Sequence, residues 1–152
     1  MKRLSDPAVR EDILHRIDDL QTGAPSRWGR MSAQQMVCHL SDAFRLAMGE
    51  KSASEATGML QRSLLKWAAL YAPLPWPKGF KTRPEIEQGS GGTPPSGFDL
   101  DRRTLISLIE RFSNPSRDFE WDAHPIFGRM SEREWMRWGY LHSDHHLRQF
   151  GA

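Results

Sequence analysis

The chain of 152 residues has a single cysteine, so no disulfide bond can form within it. It also lacks a leader with a charged start, an apolar middle and a small-residue end, and no apolar run reaches the length that spans a membrane. We therefore expect a cytoplasmic protein without a membrane partner. The length suits one domain, residues 1–152, with its own hydrophobic core.

Neither sign of charge dominates, because 21 Lys and Arg residues stand against 19 Asp and Glu residues and leave a formal net charge of +2. The two signs are mixed along the chain, and no polybasic tail occurs. Nucleic acid, which attracts strongly basic surfaces, is therefore not the expected partner.

Strand-like alternation of apolar and polar residues is lacking, whereas helical periodicity recurs together with helix caps. The caps are Asp6 before Pro7, Ser32 with Gln35, and Ser131 with Glu134. We predict helices over about 6–20, 32–49, 55–71, 99 or 101–114, and 131–149. The predicted class is all-α, most simply a four-helix bundle with one extra short helix.

Apolar residues three or four positions apart predict which face of each helix packs inward. In the third helix this stripe is Leu60, Leu64, Trp67 and Tyr71, which we interpret as a core face. The stripes of the other early helices are Val9, Ile13, Ile17 and Leu20; Met36, Leu40, Ala43 and Ala47; and Leu105, Leu108, Ile109 and Phe112.

Residues 72–98 hold six of the ten prolines and five of the twelve glycines, so this stretch cannot be regular helix. A loop of this length in a small domain is usually functional, and we interpret it as a crossover or a lid. Alternatively, Leu74, Trp76 and Phe80 in this loop contact a second copy in a homodimer.

His142 and His146 are four residues apart in the last predicted helix, which places them about 40° apart around the axis and one turn apart along it. They share a stripe with Trp135, Trp138 and Gln149, so we expect them to face the interior. An unpaired imidazole there would be costly, and a metal ion would satisfy both rings. The spacing alone is also typical of a hydrogen-bonded or surface pair.

His39 lies beside the inward stripe of the second helix and completes a set of three histidines. Three imidazoles leave a metal position open for water or a substrate, which is the catalytic pattern of transition-metal sites. We expect one divalent ion, zinc or nickel first and iron or manganese next. We expect a substrate pocket beside Trp135 and Trp138, under the 72–98 loop.

Three neighbours of these histidines have weaker claims. His145 is predicted to lie in the second shell or at the rim of the pocket. Asp42, one turn after His39, could orient that ring or bind the metal, or it could simply be a solvated carboxylate. Cys38 points about 100° away from His39 on the helix, so we interpret it as a small buried apolar residue.

Two sequence blocks carry a family resemblance. The ending LHSDHHLRQFG resembles the closing H-x-x-x-H-R-G-Q-type helix of the DinB and YfiT-like superfamily of proposed metalloenzymes. Combined with WGRMSAQQMVCHLSDA and HPIFGRMSEREW, it resembles a domain-of-unknown-function branch of that superfamily. The arginine of the motif is displaced by one residue here, to Arg148, so its role is not carried over.

The resemblance implies an up-down-down-up bundle with a long crossover and a metal triad of His39, His142 and His146. Relatives that use low-molecular-weight thiols imply a hydrolase or thiol transferase acting on a small molecule. The alternative function is a metal-binding or homodimeric interaction module without catalysis. The catalytic residues are not identified by the sequence.

Overall fold

A computed structural model describes residues 1–55, 58–73, 75–79 and 82–152, apart from the side chains of residues 59–61. The helices are α1 Pro7–Asp18, α2 Ala33–Ala47, α3 Met59–Tyr71, α4 Phe98–Phe112 and α5 Glu132–Gln149, with a 3₁₀ turn at Pro84–Ile86. The described residues form no strand beyond an isolated bridge between His124 and Gly128. The predicted all-α class is confirmed. No helix in the described ranges is long and apolar enough to cross a membrane.

Both predicted capping boxes begin helices. The Ser32 side chain accepts from the Gln35 backbone at the start of α2, and the Gln35 side chain accepts from the Ser32 backbone at 2.9 Å. Ser131 and Glu134 repeat this exchange at the start of α5. These boxes satisfy backbone N–H groups that the first turn of a helix leaves free, and they fix where the two histidine-bearing helices begin.

The predicted start of the fourth helix was wrong. α4 begins at Phe98, before Asp99 and Asp101. The Asp101 carboxylate instead accepts hydrogen bonds from the backbone N–H groups of Ser96 and Gly97 at 3.0 and 3.2 Å. A side chain inside the first turn therefore holds the chain that enters α4.

The helices α1, α2, α4 and α5 surround one hydrophobic core. α2 packs against α4 and α5, and α1 packs against the same two helices. The largest fully buried side chains include Trp135, Phe44, Phe112, Leu4, Ile13 and Met36. This packing places the second and last helices side by side, as a site shared between them requires.

The predicted inward stripe of the third helix was wrong where its side chains are described. Leu64 and Trp67 are 71% and 60% exposed, and Leu60 lies among the side chains outside the description. The face of α3 that lines a cavity carries Leu65, Ala68 and Ala69 instead. Periodicity failed because both faces of this helix are apolar, and α3 packs only against α5 among the described helices.

Gly139 lies where α5 packs tightly against the core. A Cβ atom at this position would lie 2.7 Å from Leu4 Cδ1 and 3.0 Å from Phe112 Cε1. We expect Gly139→Val to lower the free energy of unfolding by about 1–3 kcal/mol through overpacking. The measurement is urea denaturation. Gly23→Val is the matched control because nothing lies within 4 Å of its Cβ position, and an equal loss there would contradict the packing explanation.

Candidate metal centre

The side chains of His39, His142 and His146 converge between α2 and α5. One ring nitrogen from each lies within 4.8 Å of the others, and among the described residues no cysteine or carboxylate joins the group. The ring centroids are 5.3 Å apart for His39 and His142 and 4.8 Å apart for His39 and His146. The three predicted ligands are therefore brought together, and metal binding at this cluster stays a prediction.

The spacing of the nitrogens fits a transition-metal ion. His39 Nε2 and His142 Nε2 are 3.3 Å apart. Two nitrogens bound to zinc at about 2.0–2.1 Å with tetrahedral geometry are separated by about 3.3–3.4 Å. The separation of these two atoms is therefore compatible with one shared ion, and it is also within hydrogen-bond distance.

The orientation of His39 is set by a backbone carbonyl. Its Nδ1 lies 3.2 Å from the carbonyl oxygen of Ile86, in the 3₁₀ turn of the long loop. A carbonyl can only accept, so Nδ1 carries the proton and Nε2 keeps its lone pair for the cluster.

The orientation of His146 is set by Gln149. The Gln149 side-chain nitrogen donates to the carbonyl oxygen of Trp28 at 2.6 Å, which leaves Gln149 Oε1 to accept from His146 Nδ1 at 2.9 Å. His146 Nε2 is consequently the nitrogen with a free lone pair. This relay connects the segment before α2 to the end of α5.

His142 differs from the other two rings. Its Nδ1 is buried and has no hydrogen-bond partner among the described residues. The ring instead lies near the indoles of Trp138 and Trp76, at centroid distances of 4.9 and 5.8 Å. Packing, and not a hydrogen bond to the distal nitrogen, holds this imidazole.

All three rings are favoured in their neutral form. Burial lowers the pKa of His39 below its ordinary value, although the Ile86 carbonyl and the Asp42 charge raise it in part. Burial, followed by the charges of neighbouring histidines, holds the pKa of His142 and of His146 well below 6.5. Neutral imidazoles are the form that binds metals, so protons compete little with an ion at neutral pH.

The cluster lies at one side of a cavity of about 480 Å³. Its walls come from the segment before α2, from α3, from the 72–98 loop and from the turn after His124. The side chains of Trp28, Trp76 and Trp138 line it together with the three histidines. The loop therefore borders the cavity, as predicted for a pocket under this segment.

The two tryptophans predicted for the pocket have different surroundings. Trp138 lines the cavity, whereas Trp135 is fully buried in the core and stacks on Trp121 with a centroid distance of 5.6 Å. The expectation that Trp135 borders a ligand pocket was therefore wrong. Trp135 lies one turn before Trp138, and the part of α5 that lines the cavity begins at Trp138.

His145 and Asp42, the other predicted neighbours, have distinct environments. His145 lines the cavity, and its ring lies 5.7 Å from that of Trp28. Asp42 is fully buried and does not hydrogen-bond His39. Its carboxylate accepts from Thr93 Oγ1 at 2.6 Å and from the Thr93 backbone at 2.7 Å, and it pairs with Lys51 at 3.0 Å. Asp42 thus anchors the end of the long loop to α2.

The family model described as "Protein of unknown function (DUF1569)" matches residues 7–152, nearly the whole chain. The chain belongs to the DUF1569 family. No curated protein and no solved structure gave a match.

The sequence did not identify several residues around the cluster of this DUF1569 chain. The Ile86 carbonyl is a backbone group, so no residue type signals its role. Trp28 and Trp76 line the cavity from irregular segments, where helical periodicity gives no information. Trp28 belongs to the WGRMSAQQMVCHLSDA block, on which the expected resemblance was based, and this was the one signal that could have indicated it.

His124 lies in the cavity wall and fixes a turn. Its Nδ1 accepts from the backbone N–H groups of Ile126 and Phe127 at 3.1 and 3.2 Å, and its ring stacks on Phe127. Burial lowers the pKa of His124 to about 3. These contacts give His124 a structural role in the turn, and it is not one of the three clustered histidines.

The buried histidines make the metal-free DUF1569 chain sensitive to mild acid. The pKa of His124 is about 3 in the folded protein and 6.5 in a free side chain, so protons bind the unfolded chain preferentially between these values. Stability is therefore constant above about pH 6.5 and falls as the pH is lowered toward 3. We expect His124 alone to account for about 1 kcal/mol of loss between about pH 7 and about pH 5.5.

The measurement is urea denaturation of wild type and His124→Asn at both pH values, since asparagine can still accept from the two N–H groups without titrating. We expect the variant to lose less stability on acidification than wild type. His15→Gln is the control because the His15 side chain is 74% exposed. Identical pH dependence in wild type and His124→Asn would contradict the prediction.

Proposed function

We propose that this protein is a metal-dependent enzyme that acts on a small molecule, with one divalent transition-metal ion bound by His39, His142 and His146. The observation that carries the proposal is the convergence of three neutral imidazoles, two of them with assigned lone pairs, at the wall of a cavity. Zinc or nickel suits three nitrogen ligands best, and iron or manganese follows. When bound, such an ion would act as a Lewis acid or lower the pKa of a water or thiol.

The chain's own residues have separable tasks in this proposal. Ile86 and Gln149 orient two of the rings, and Trp138 and Trp76 hold the third by packing. The indoles and the loop exclude bulk water from one side of the cluster. Because the described cluster contains no fourth protein ligand, a substrate atom can reach the same centre from the cavity.

The reaction class proposed is hydrolysis or thiol transfer. It rests on the resemblance of two sequence blocks, one around His39 and one from His142 to Gln149, to the DinB and YfiT-like superfamily. The same resemblance supports an up-down-down-up bundle for α1, α2, α4 and α5. We place the protein in the cytoplasm as part of this proposal. Burial raises the pKa of the free Cys38 thiol to about 12, so this thiol is protonated at neutral pH.

The second candidate function is an interaction module without catalysis. One observation favours it: Leu64 and Trp67 form an exposed apolar face on α3, which could be covered in a homodimer. Of the loop residues predicted to contact a second copy, Leu74 and Phe80 lie outside the described residues. Trp76 is half-buried and donates its indole N–H to the Ala69 carbonyl at 2.7 Å, so it belongs to the cavity wall.

Metal content separates the proposed metalloenzyme from a homodimeric interaction module that binds no metal. We expect wild type purified without a polyhistidine tag to hold about one equivalent of a transition metal by elemental mass spectrometry. His39→Ala should lose it because two imidazoles and a gap replace three converging ligands. His145→Ala is the matched control, since it removes a cavity histidine outside the cluster, and it should retain the metal.

The second measurement is the thermal unfolding of the same samples with and without added zinc or nickel. Wild type without metal, unchanged in stability by added zinc or nickel, would contradict the enzyme proposal and support the interaction module. Loss of metal from His145→Ala together with retention in His39→Ala would show that the ligand set is wrong.

Gln149 should tune the affinity for the metal. Gln149→Leu removes the acceptor for His146 Nδ1 and the donor to the Trp28 carbonyl. We expect metal affinity to fall about 10–100-fold, as is usual when a group that orients a ligand is removed. The measurement is competition with a chromophoric chelator. Gln21→Leu, at an exposed position after α1, is the control, and equal affinity in both variants would contradict the assigned role.

A further inference from the structure

We propose that the cavity beside the three histidines binds a mainly apolar organic anion, with the anionic group toward the metal centre and the two arginines of the cavity wall. This inference names a substrate class for the proposed enzyme and rests on the metal site proposed above.

The apolar part of the proposal follows from the walls. Aliphatic and indole side chains make up most of the lining, including Ala43, Leu46, Leu65, Trp76 and Trp138. A volume of about 480 Å³ lies within the range of pockets that hold small organic molecules. A sugar or another highly hydroxylated molecule would leave many of its polar groups unpaired against these walls.

The charge of the ligand follows from the sign of the charged groups in the walls. Arg30 and Arg83 line the cavity, and none of the described lining residues is Asp or Glu. Arg30 forms no ion pair within the described part of the chain. Lys78 adds a third positive charge nearby, with its Nζ 4.6 Å from the centre of the Trp28 ring.

Arg83 is partly engaged and partly free. It donates to Ser54 Oγ, while its Nε is buried without a hydrogen-bond partner among the described residues. The nearby Glu85 accepts from the Ser54 backbone at 2.9 Å, and hydrogen bonds from Ser54, with a smaller contribution from the Arg83 charge, lower the pKa of Glu85 to about 2. Glu85 is not a lining residue, but its charge offsets part of the Arg83 charge, so Arg30 and Lys78 contribute the remaining positive charge near the cavity.

The metal centre adds charge of the same sign. Three neutral imidazoles would leave a divalent ion with its full double positive charge, and the buried carboxylate closest in sequence, Asp42, already pairs with Lys51 at 3.0 Å. An uncompensated charge beside apolar walls is costly. An anionic group on the ligand would supply negative charge that the described lining residues do not, and this favours an acid over a neutral or cationic ligand.

The test compares three probes of one shape by isothermal titration calorimetry: 2-naphthoate, 2-naphthylmethanol and 2-naphthylmethylammonium. With zinc-loaded protein we expect naphthoate to bind at least about tenfold more tightly than the alcohol, and the ammonium to bind most weakly. Arg30→Gln and Arg83→Gln should each reduce the affinity for naphthoate several-fold and leave the affinity for the alcohol unchanged. Arg103→Gln, at an exposed position on α4 outside the cavity, is the matched control.

Zinc content measured on the same samples distinguishes the two ways of failing. Protein that holds zinc but binds acid and alcohol equally would overturn the substrate class and leave the metal site standing. Protein that takes up neither zinc nor nickel would overturn the proposed function and this inference with it. Loss of naphthoate affinity in Arg103→Gln as large as in the two lining variants would also overturn the inference.

Discussion

The architecture of the candidate site depends on two hydrogen bonds that buried imidazoles donate through Nδ1, the ring nitrogen outside the cluster. His39 donates to the Ile86 carbonyl, and His146 donates to the Gln149 side chain, whose amide is itself fixed by the Trp28 carbonyl. Because each acceptor determines which nitrogen carries the proton, both rings present a lone pair toward the same region. Without these bonds, burial would still favour neutral rings, but it would not decide which nitrogen of His39 and of His146 carries the proton.

The long proline-rich and glycine-rich loop supplies one of those acceptors, the Ile86 carbonyl. Contacts with α2 and α3 hold the loop in place. Asp42 accepts two hydrogen bonds from Thr93 and pairs with Lys51, so one end of the loop is held against α2. The indole of Trp76 donates to α3 near the other end. The described part of this segment, which includes the 3₁₀ turn at Pro84–Ile86, therefore lines the cavity and supports a histidine on a neighbouring helix.

The sequence predicted the parts of this arrangement that depend on local rules. Helix geometry predicted the capping box at Ser32 and a shared helix face for His142 and His146. The capping box is present, and both histidines lie in α5. The sequence could not predict the Ile86 carbonyl, because any residue has one. It predicted that Trp135 faces the interior, but an inward stripe does not say whether a buried side chain borders a cavity. The α3 stripe failed for another reason: periodicity cannot choose between two apolar faces.

The exposed face of α3 and the cavity behind it are two consequences of one sequence property. Small residues at Ala68 and Ala69 let the helix border the cavity without filling it, and the large side chains of Leu64 and Trp67 are then directed away from the core. A helix that buried its large residues inward would close the space beside the histidines. The exposed apolar surface on α3 therefore follows from placing small residues toward the cavity, and a protein partner is not needed to explain it.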